Sequence, residues 1–125
     1  MLGDAKPIAT VAVRDLMAAA RFYEDVLGLT RSHTEGEEAI EFQAGAAKLL
    51  VYRSQFAGTS KATVVTWVLG DSVDHTVRDL KGKGVRFERY DMPDTSHEGD
   101  VHVGGDMRVA WFKDPDGNIH SLASR

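Results

Sequence analysis

The sequence predicts an α+β fold made of one unit used twice, and three observations carry that prediction. The element order β-α-β-β-β can be read in each half of the chain. Asp15 and Gly28, and again Asp71 and Gly84, stand 13 residues apart around an amphipathic run. A polar, Gly- and Ser-containing stretch, 55–61, separates the halves. Spacing alone is a weak signal, but matched element order on both sides of one connection marks an internal repeat. The 125 residues suit a single domain, with module one over about 7–54, the linker at 55–61 and module two over about 62–124.

Each element follows from local chemistry. Residues 8–13 are short, apolar and β-branched, a largely buried strand. Asp15 accepts from the first free N–H groups of a helix that begins at Leu16. Leu16, Ala19, Ala20, Tyr23, Val26 and Leu27 recur at helical spacing, and Gly28 stops the helix. Residues 29–34 form a strand, Gly36 a turn, Ala39 and Phe42 mark the next strand, Gly45 another turn, and 48–53 a further strand. The pattern restarts with a strand over 63–69. Asp71 or Ser72 caps a helix carrying Val73, Val77 and Leu80, which Gly84 ends, and strands follow at 85–90, 108–113 and 119–122. The stretch 91–107 breaks the symmetry with Pro93, Gly99, Gly104, Gly105, four aspartates, a glutamate and two histidines. It is expected to be a loop, either mobile or the lid or rim of a pocket.

Composition excludes several functions. With no cysteine there is no disulfide scaffold, Cys-ligated zinc, iron–sulfur cluster or thiol nucleophile. The net charge is −4 and the bases are scattered (Arg14, Arg21, Arg31, Lys48, Arg53, Lys81, Lys83, Arg86), which disfavours nucleic acid. The longest apolar runs, 49–52 and 64–69, are strand-sized, so no membrane span is expected. The N-terminus has an early acid, Asp4, and no apolar core of a secretory signal, so a cytoplasmic location is expected.

Two strings bear on identity: Val13-Arg14-Asp15-Leu16 running into Phe22-Tyr23-Glu24-Asp25-Val26-Leu27-Gly28-Leu29, and Trp111-Phe112-Lys113-Asp114-Pro115-Asp116-Gly117-Asn118. Taken with the repeat, they resemble the vicinal oxygen chelate superfamily of glyoxalase I, extradiol dioxygenases and bleomycin-resistance proteins. The resemblance covers nearly the whole chain. It implies two βαβββ modules forming a cupped eight-stranded mixed sheet around a cavity. In metal-dependent members it implies a divalent ion held by four side chains, acting as a Lewis acid on two neighbouring substrate oxygens.

This chain departs from that ligand pattern. The first-strand histidine falls on Ile8 and the last-strand glutamate on Ser121. The second histidine falls on Val64 if aligned through Trp67, or on Val65 if aligned through the helix. No Asp or Glu occurs between Ala44 and Ser60 to supply the fourth-strand carboxylate. Aliphatics and a serine are not ligands for a catalytic divalent metal, so the expectation is no metal and no cofactor. Of the five histidines, His33 and His75 read as solvent-facing, and His120 as packed or hydrogen-bonded between sheet and helix. The string from His97 to His102 is the one cluster with donor density, and the competing reading is a solvated acidic loop. Ser32, Ser54, Ser72 and Ser121 lack a nucleophile elbow, and the glycines of Gly82-Lys83-Gly84 follow a helix instead of opening one.

Strand phase and the resemblance together nominate Ile8, Thr10, Tyr52, Val64, Trp67, Arg108, Trp111 and Ser121 as ligand-binding, with Trp67 and Trp111 as stacking anchors. Core packing is the competing reading for both tryptophans. His97, Glu98 and His102 are the candidate acid–base groups, placed on the lid or rim. The leading expectation is a small-molecule-binding protein of the bleomycin-resistance type, holding an aromatic or drug-like molecule without a metal. The alternative is a glyoxalase-like lyase or dioxygenase with a displaced metal or a metal-free acid–base mechanism using residues 94–106. The resemblance implies a homodimer under either.

Overall fold

The computed structural model describes residues 1–125. Its contacts divide the chain into two units, Met1–Thr59 and Ser60–Arg125, and the division falls inside the 55–61 connection. Both units are α+β, each a sheet with one helix against it.

In the first unit, β1 (Ala9–Val13), β2 (Thr30–Glu35), β3 (Ala39–Ala44) and β4 (Ala47–Arg53) form a four-stranded sheet in the order β1-β4-β3-β2. β1 runs parallel to β4 and the other neighbours are antiparallel. Helix α1 (Leu16–Arg21) is capped by Asp15, whose Oδ1 accepts from the N–H of Met17 at 3.0 Å and of Ala18 at 3.2 Å. Such a cap contributes about 1 kcal/mol. The helix widens into a π turn, Phe22–Val26, before Gly28 ends it at φ +76°. That extra residue lengthens the closing bond, so Leu29 N–H reaches back to Tyr23 O at 2.9 Å. Tyr23 stacks on Phe42, and Val11, Val13, Ile40, Leu49 and Val51 are buried on the same side of the sheet.

In the second unit, β5 (Thr63–Val68) leads through a tight turn, Gly70–Ser72, into α2 (Val73–Gly82). Five further strands follow: β6 (Phe87–Glu88), β7 (Ser96–Glu98), β8 (Val101–Gly104), β9 (Met107–Lys113) and β10 (Ile119–Ala123). They make a six-stranded sheet, β5-β10-β9-β8-β7, with β6 also on β9. β6 pairs with the Trp111–Phe112 end of β9 and β8 with its Met107–Val109 end, so the two share one edge. The 114–118 turn between β9 and β10 is closed by Asp114. Its Oδ1 accepts from the N–H of Asp116 and of Asn118, each at 2.9 Å, and Gly117 takes φ +91°.

The structure corrects three sequence expectations. Residues 91–107 are not a loop throughout, because β7 and β8 form an antiparallel hairpin that extends the sheet. The hairpin adds two short strands to the eight expected, so the four-stranded sheet of the first unit and the six-stranded sheet of the second hold ten. Ser72 does occupy the N-cap position of α2, but its backbone (φ −94°, ψ 7°) is not extended as at Asp15, and its side chain makes no capping hydrogen bond. The predicted strand 85–90 shrinks to Phe87–Glu88, since beyond it β8 takes over the edge of β9.

Candidate functional site

The second unit's sheet has two faces of different character. Paired residues on neighbouring strands point the same way, so strand register sorts every side chain. On the α2 side lie Val65, Trp67, Phe87, Val103, Arg108, Ala110, Phe112, His120 and Leu122. On the opposite side lie Thr66, Glu88, His97, His102, Val109, Trp111 and Ser121.

The opposite face is the candidate site. Trp111 Nε1–H donates to Thr63 Oγ1 at 3.3 Å. Since β10 lies between β9 and β5, the indole must lie across β10, over a Ser121 that is itself buried. Ser121 Oγ and Thr66 Oγ1 share a hydrogen bond at 2.7 Å. Tyr90, just beyond β6, meets the indole edge-on with ring centroids 5.3 Å apart, and His102 does so at 4.8 Å. His97 stands 4.5 Å from His102, ring to ring. Trp111 and His97 are half-buried and Tyr90 is exposed, so the rings form an open shelf instead of a core.

The imidazoles are wired through one backbone unit. Tyr90 N–H donates to His102 Nε2 at 2.9 Å, and His97 Nε2 lies 3.0 Å from Tyr90 O. A carbonyl only accepts, so His97 carries its proton on Nε2; His102 Nε2 accepts, so in the neutral ring its proton is on Nδ1. His102 is 2% exposed, and its Nδ1 has no partner in hydrogen-bonding geometry. Burial lowers the His102 pKa and the neighbouring His97 lowers it further, against smaller opposing contributions from the backbone at Val109 and Asp100.

The hairpin that carries both histidines is tied to α2 from its other side. Arg108 Nη2 and Nε donate to the Asp74 carboxylate at 2.8 and 3.0 Å, while Nη1 reaches Glu98 Oε2 at 3.0 Å. Lys81 Nζ reaches Asp100 Oδ2, in the hairpin turn, at 2.6 Å. Asp74, most strongly, and Glu98 raise the Arg108 pKa.

The nominated residues therefore separate. Trp111 and Ser121 share the shelf face with His97 and His102. Trp67 does not join them: its Nε1–H donates to His120 Nδ1 at 3.0 Å on the α2 side. Arg108 and Glu98 are on that side too, committed to each other. Val64 is the extra residue of a bulge between Thr63, opposite Ile119, and Val65, opposite His120. Ile8, Thr10 and Tyr52 belong to the first unit. By strand phase they share the face turned away from α1, with Ile8 43% and Tyr52 39% exposed. Sequence reasoning missed Tyr90, Thr63 and Thr66. Only the register of short β6 and the bulge in β5 bring those three to the shelf. An open cleft of about 770 Å³ lies elsewhere, beside α1. Its guanidinium groups (Arg14, Arg21, Arg31, Arg53) are matched by as many carboxylates, so it has no net charge to select a ligand.

The donor set does not fit a divalent metal. The four positions to which the resemblance assigns ligands hold Ile8, a valine, Ser121 bonded to Thr66, and a strand, β4, with no carboxylate. No three His, Asp or Glu side chains converge elsewhere to replace them.

Comparison with known proteins agrees with the fold. The chain resembles an integron cassette protein from the mobile metagenome of the Halifax Harbour sewage outfall (TM-score 0.72, 14% identity, covering 97% of this chain and 100% of that one). It also resembles a mutant fosfomycin resistance protein, FosX, of Listeria monocytogenes, complexed with Mn(II) and a dihydroxypropylphosphonic acid (0.71, 15%, 97% and 90%). A third is lactoylglutathione lyase of Agrobacterium tumefaciens (0.69, 17%, 96% and 92%). Among curated proteins no sequence match was found. Residues 7–120 match the Glyoxalase/Bleomycin resistance protein/Dioxygenase superfamily, and the chain belongs to that superfamily.

Proposed function

We propose that this protein binds a small, flat aromatic molecule on the Trp111 face of the second unit and holds it unchanged, without a metal, as a sequestering protein of the drug-resistance type. One observation carries the reading. Where the superfamily's metal-dependent members need a carboxylate on the last strand, this chain has Ser121, hydrogen-bonded to Thr66 and covered by an indole pinned to Thr63. An indole held flat offers a stacking surface at little entropic cost. Sequestration needs affinity and no transition-state chemistry, so loss of metal ligands does not impair it.

The test is calorimetric titration of flat aromatic compounds in the presence of a chelator. Trp111→Ala should weaken binding at least about tenfold, the worth of one stacked aromatic contact. Trp67→Phe, altered on the other face, should leave it unchanged. Turnover of a glutathione hemithioacetal, a catechol or fosfomycin on adding a divalent metal would overturn the reading.

A second reading rests on the His97–His102 pair. His102 is held neutral beside a second imidazole, an arrangement able to move a proton in a metal-free reaction. Under it, His97→Ala and His102→Ala each abolish turnover; unchanged turnover removes the hairpin from the chemistry. Either reading carries a cytoplasmic homodimer, whose assembly light scattering on the purified protein checks.

A further inference from the structure

The hydrogen bonds around Tyr90 narrow the kind of molecule the shelf takes, and the inference rests on the aromatic-binding reading above. His97 Nε2–H is committed to Tyr90 O at 3.0 Å. The neutral ring then holds a lone pair on Nδ1, for which the protein supplies no donor. His97 is half-buried on the shelf face, paired across the hairpin with His102. His102 supplies no competing acceptor, because its Nε2 is taken by Tyr90 N–H and its Nδ1 is sealed from solvent. Ser121 Oγ is buried and shares one hydrogen bond with Thr66 Oγ1. On the shelf face Glu88 pairs with Lys113 at 3.2 Å, and the Arg89 guanidinium lies near enough to His102 to help burial lower its pKa. Arg108 faces the other side. The shelf therefore presents a π surface with the His97 acceptor beside it, and the hydroxyls of Thr63, Thr66 and Tyr90 are the competing acceptors.

We infer that the ligand is a flat aromatic molecule bearing an O–H or N–H donor, which His97 Nδ1 accepts while the ring stacks on Trp111. The same ring without its donor keeps the stacking and loses one hydrogen bond, worth about fivefold in affinity.

The experiment compares naphthol with its methyl ether by calorimetry on the full chain, with Trp111→Ala and His97→Phe variants. His97→Phe keeps a flat ring in the hairpin and removes the acceptor, and its thermal midpoint reports whether the hairpin still folds. The expected result is that the native protein binds naphthol about fivefold tighter than the ether, a hydrogen bond's worth. Both should weaken in Trp111→Ala, and the preference should vanish in His97→Phe. Equal binding of the two by the native protein, with loss in Trp111→Ala, overturns the inference and leaves the aromatic-binding reading standing. A preference that persists in folded His97→Phe also overturns it, assigning the acceptor to another group. Binding unaffected by Trp111→Ala, or no binding of either compound, overturns both.

Discussion

Two tryptophan–histidine pairs occupy opposite faces of one sheet and use the same chemical groups to different ends. On the α2 side Trp67 donates to His120, the two rings are within 11° of parallel, and Phe112 stacks on the imidazole's other side within 12°. His120 is fully buried, so donor meets acceptor inside a packed stack. On the shelf side Trp111 and His102 meet at 86°, the indole N–H goes to Thr63, and His102 Nδ1 is buried without a partner. An unmatched buried donor costs about 1–3 kcal/mol. The first pair is arranged for stability, whereas the second tolerates a loss of stability to keep rings at an open surface.

The largest expected effect breaks the comparison most directly. Phe112→Ala removes a buried ring that His120 stacks on and Phe87 meets edge-on, and should cost about 3–5 kcal/mol in urea denaturation. Trp111→Ala, a larger truncation on the open face, should cost less than half of that. Equal costs would mean that the shelf is core.

Acid separates the faces next. Burial pushes the His120 pKa from 6.5 down to about 4, with the Asp114 charge opposing only in part. Between those values the unfolded chain binds a proton that the folded chain refuses. Stability is therefore complete above pH 6.5 and falls as the pH drops to about 4, by roughly 3 kcal/mol from this group. The His102 shift adds in the same direction. His120→Phe keeps an aromatic ring in the stack but leaves the Trp67 N–H without its acceptor, so it should cost about 1–3 kcal/mol at neutral pH. Its unfolding midpoint should then lose most of the acid slope. A native-like slope in that variant would assign the titration elsewhere.

How much of this was legible in the sequence depended on whether the signal was local. Asp15 and Gly28 bracket α1 by their own hydrogen bonds and backbone angle, and Asp114 closes its turn within five residues, so both were readable. The hairpin was not, although Gly99-Asp100, with Gly99 at φ +64°, is a two-residue turn between alternating segments. Pro93 and the clustered aspartates outweighed it. The face of Trp67 was hidden by the bulge at Val64, which shifts the phase of β5 against β10. Arg108 is nominated as a ligand contact by strand phase and the resemblance. Its real partner, Asp74, lies 34 residues away, and no local pattern reports a contact of that range.

The smallest expected effect sharpens the comparison most. His102→Phe has nearly the same shape as His120→Phe and sits on the same sheet. It deletes a buried Nδ1–H that has no acceptor, which is a gain, and it frees Tyr90 N–H, on a residue 37% exposed, for water to satisfy. Gain and loss are of similar size, so the variant should unfold within about 1 kcal/mol of the native protein at neutral pH. A cost matching that of His120→Phe would show that His102 is as well satisfied as its counterpart, and that the shelf is packed by the same rules as the core. A neutral result, with the naphthol preference intact, would show that the imidazole is dispensable for folding and that His97 alone meets the ligand.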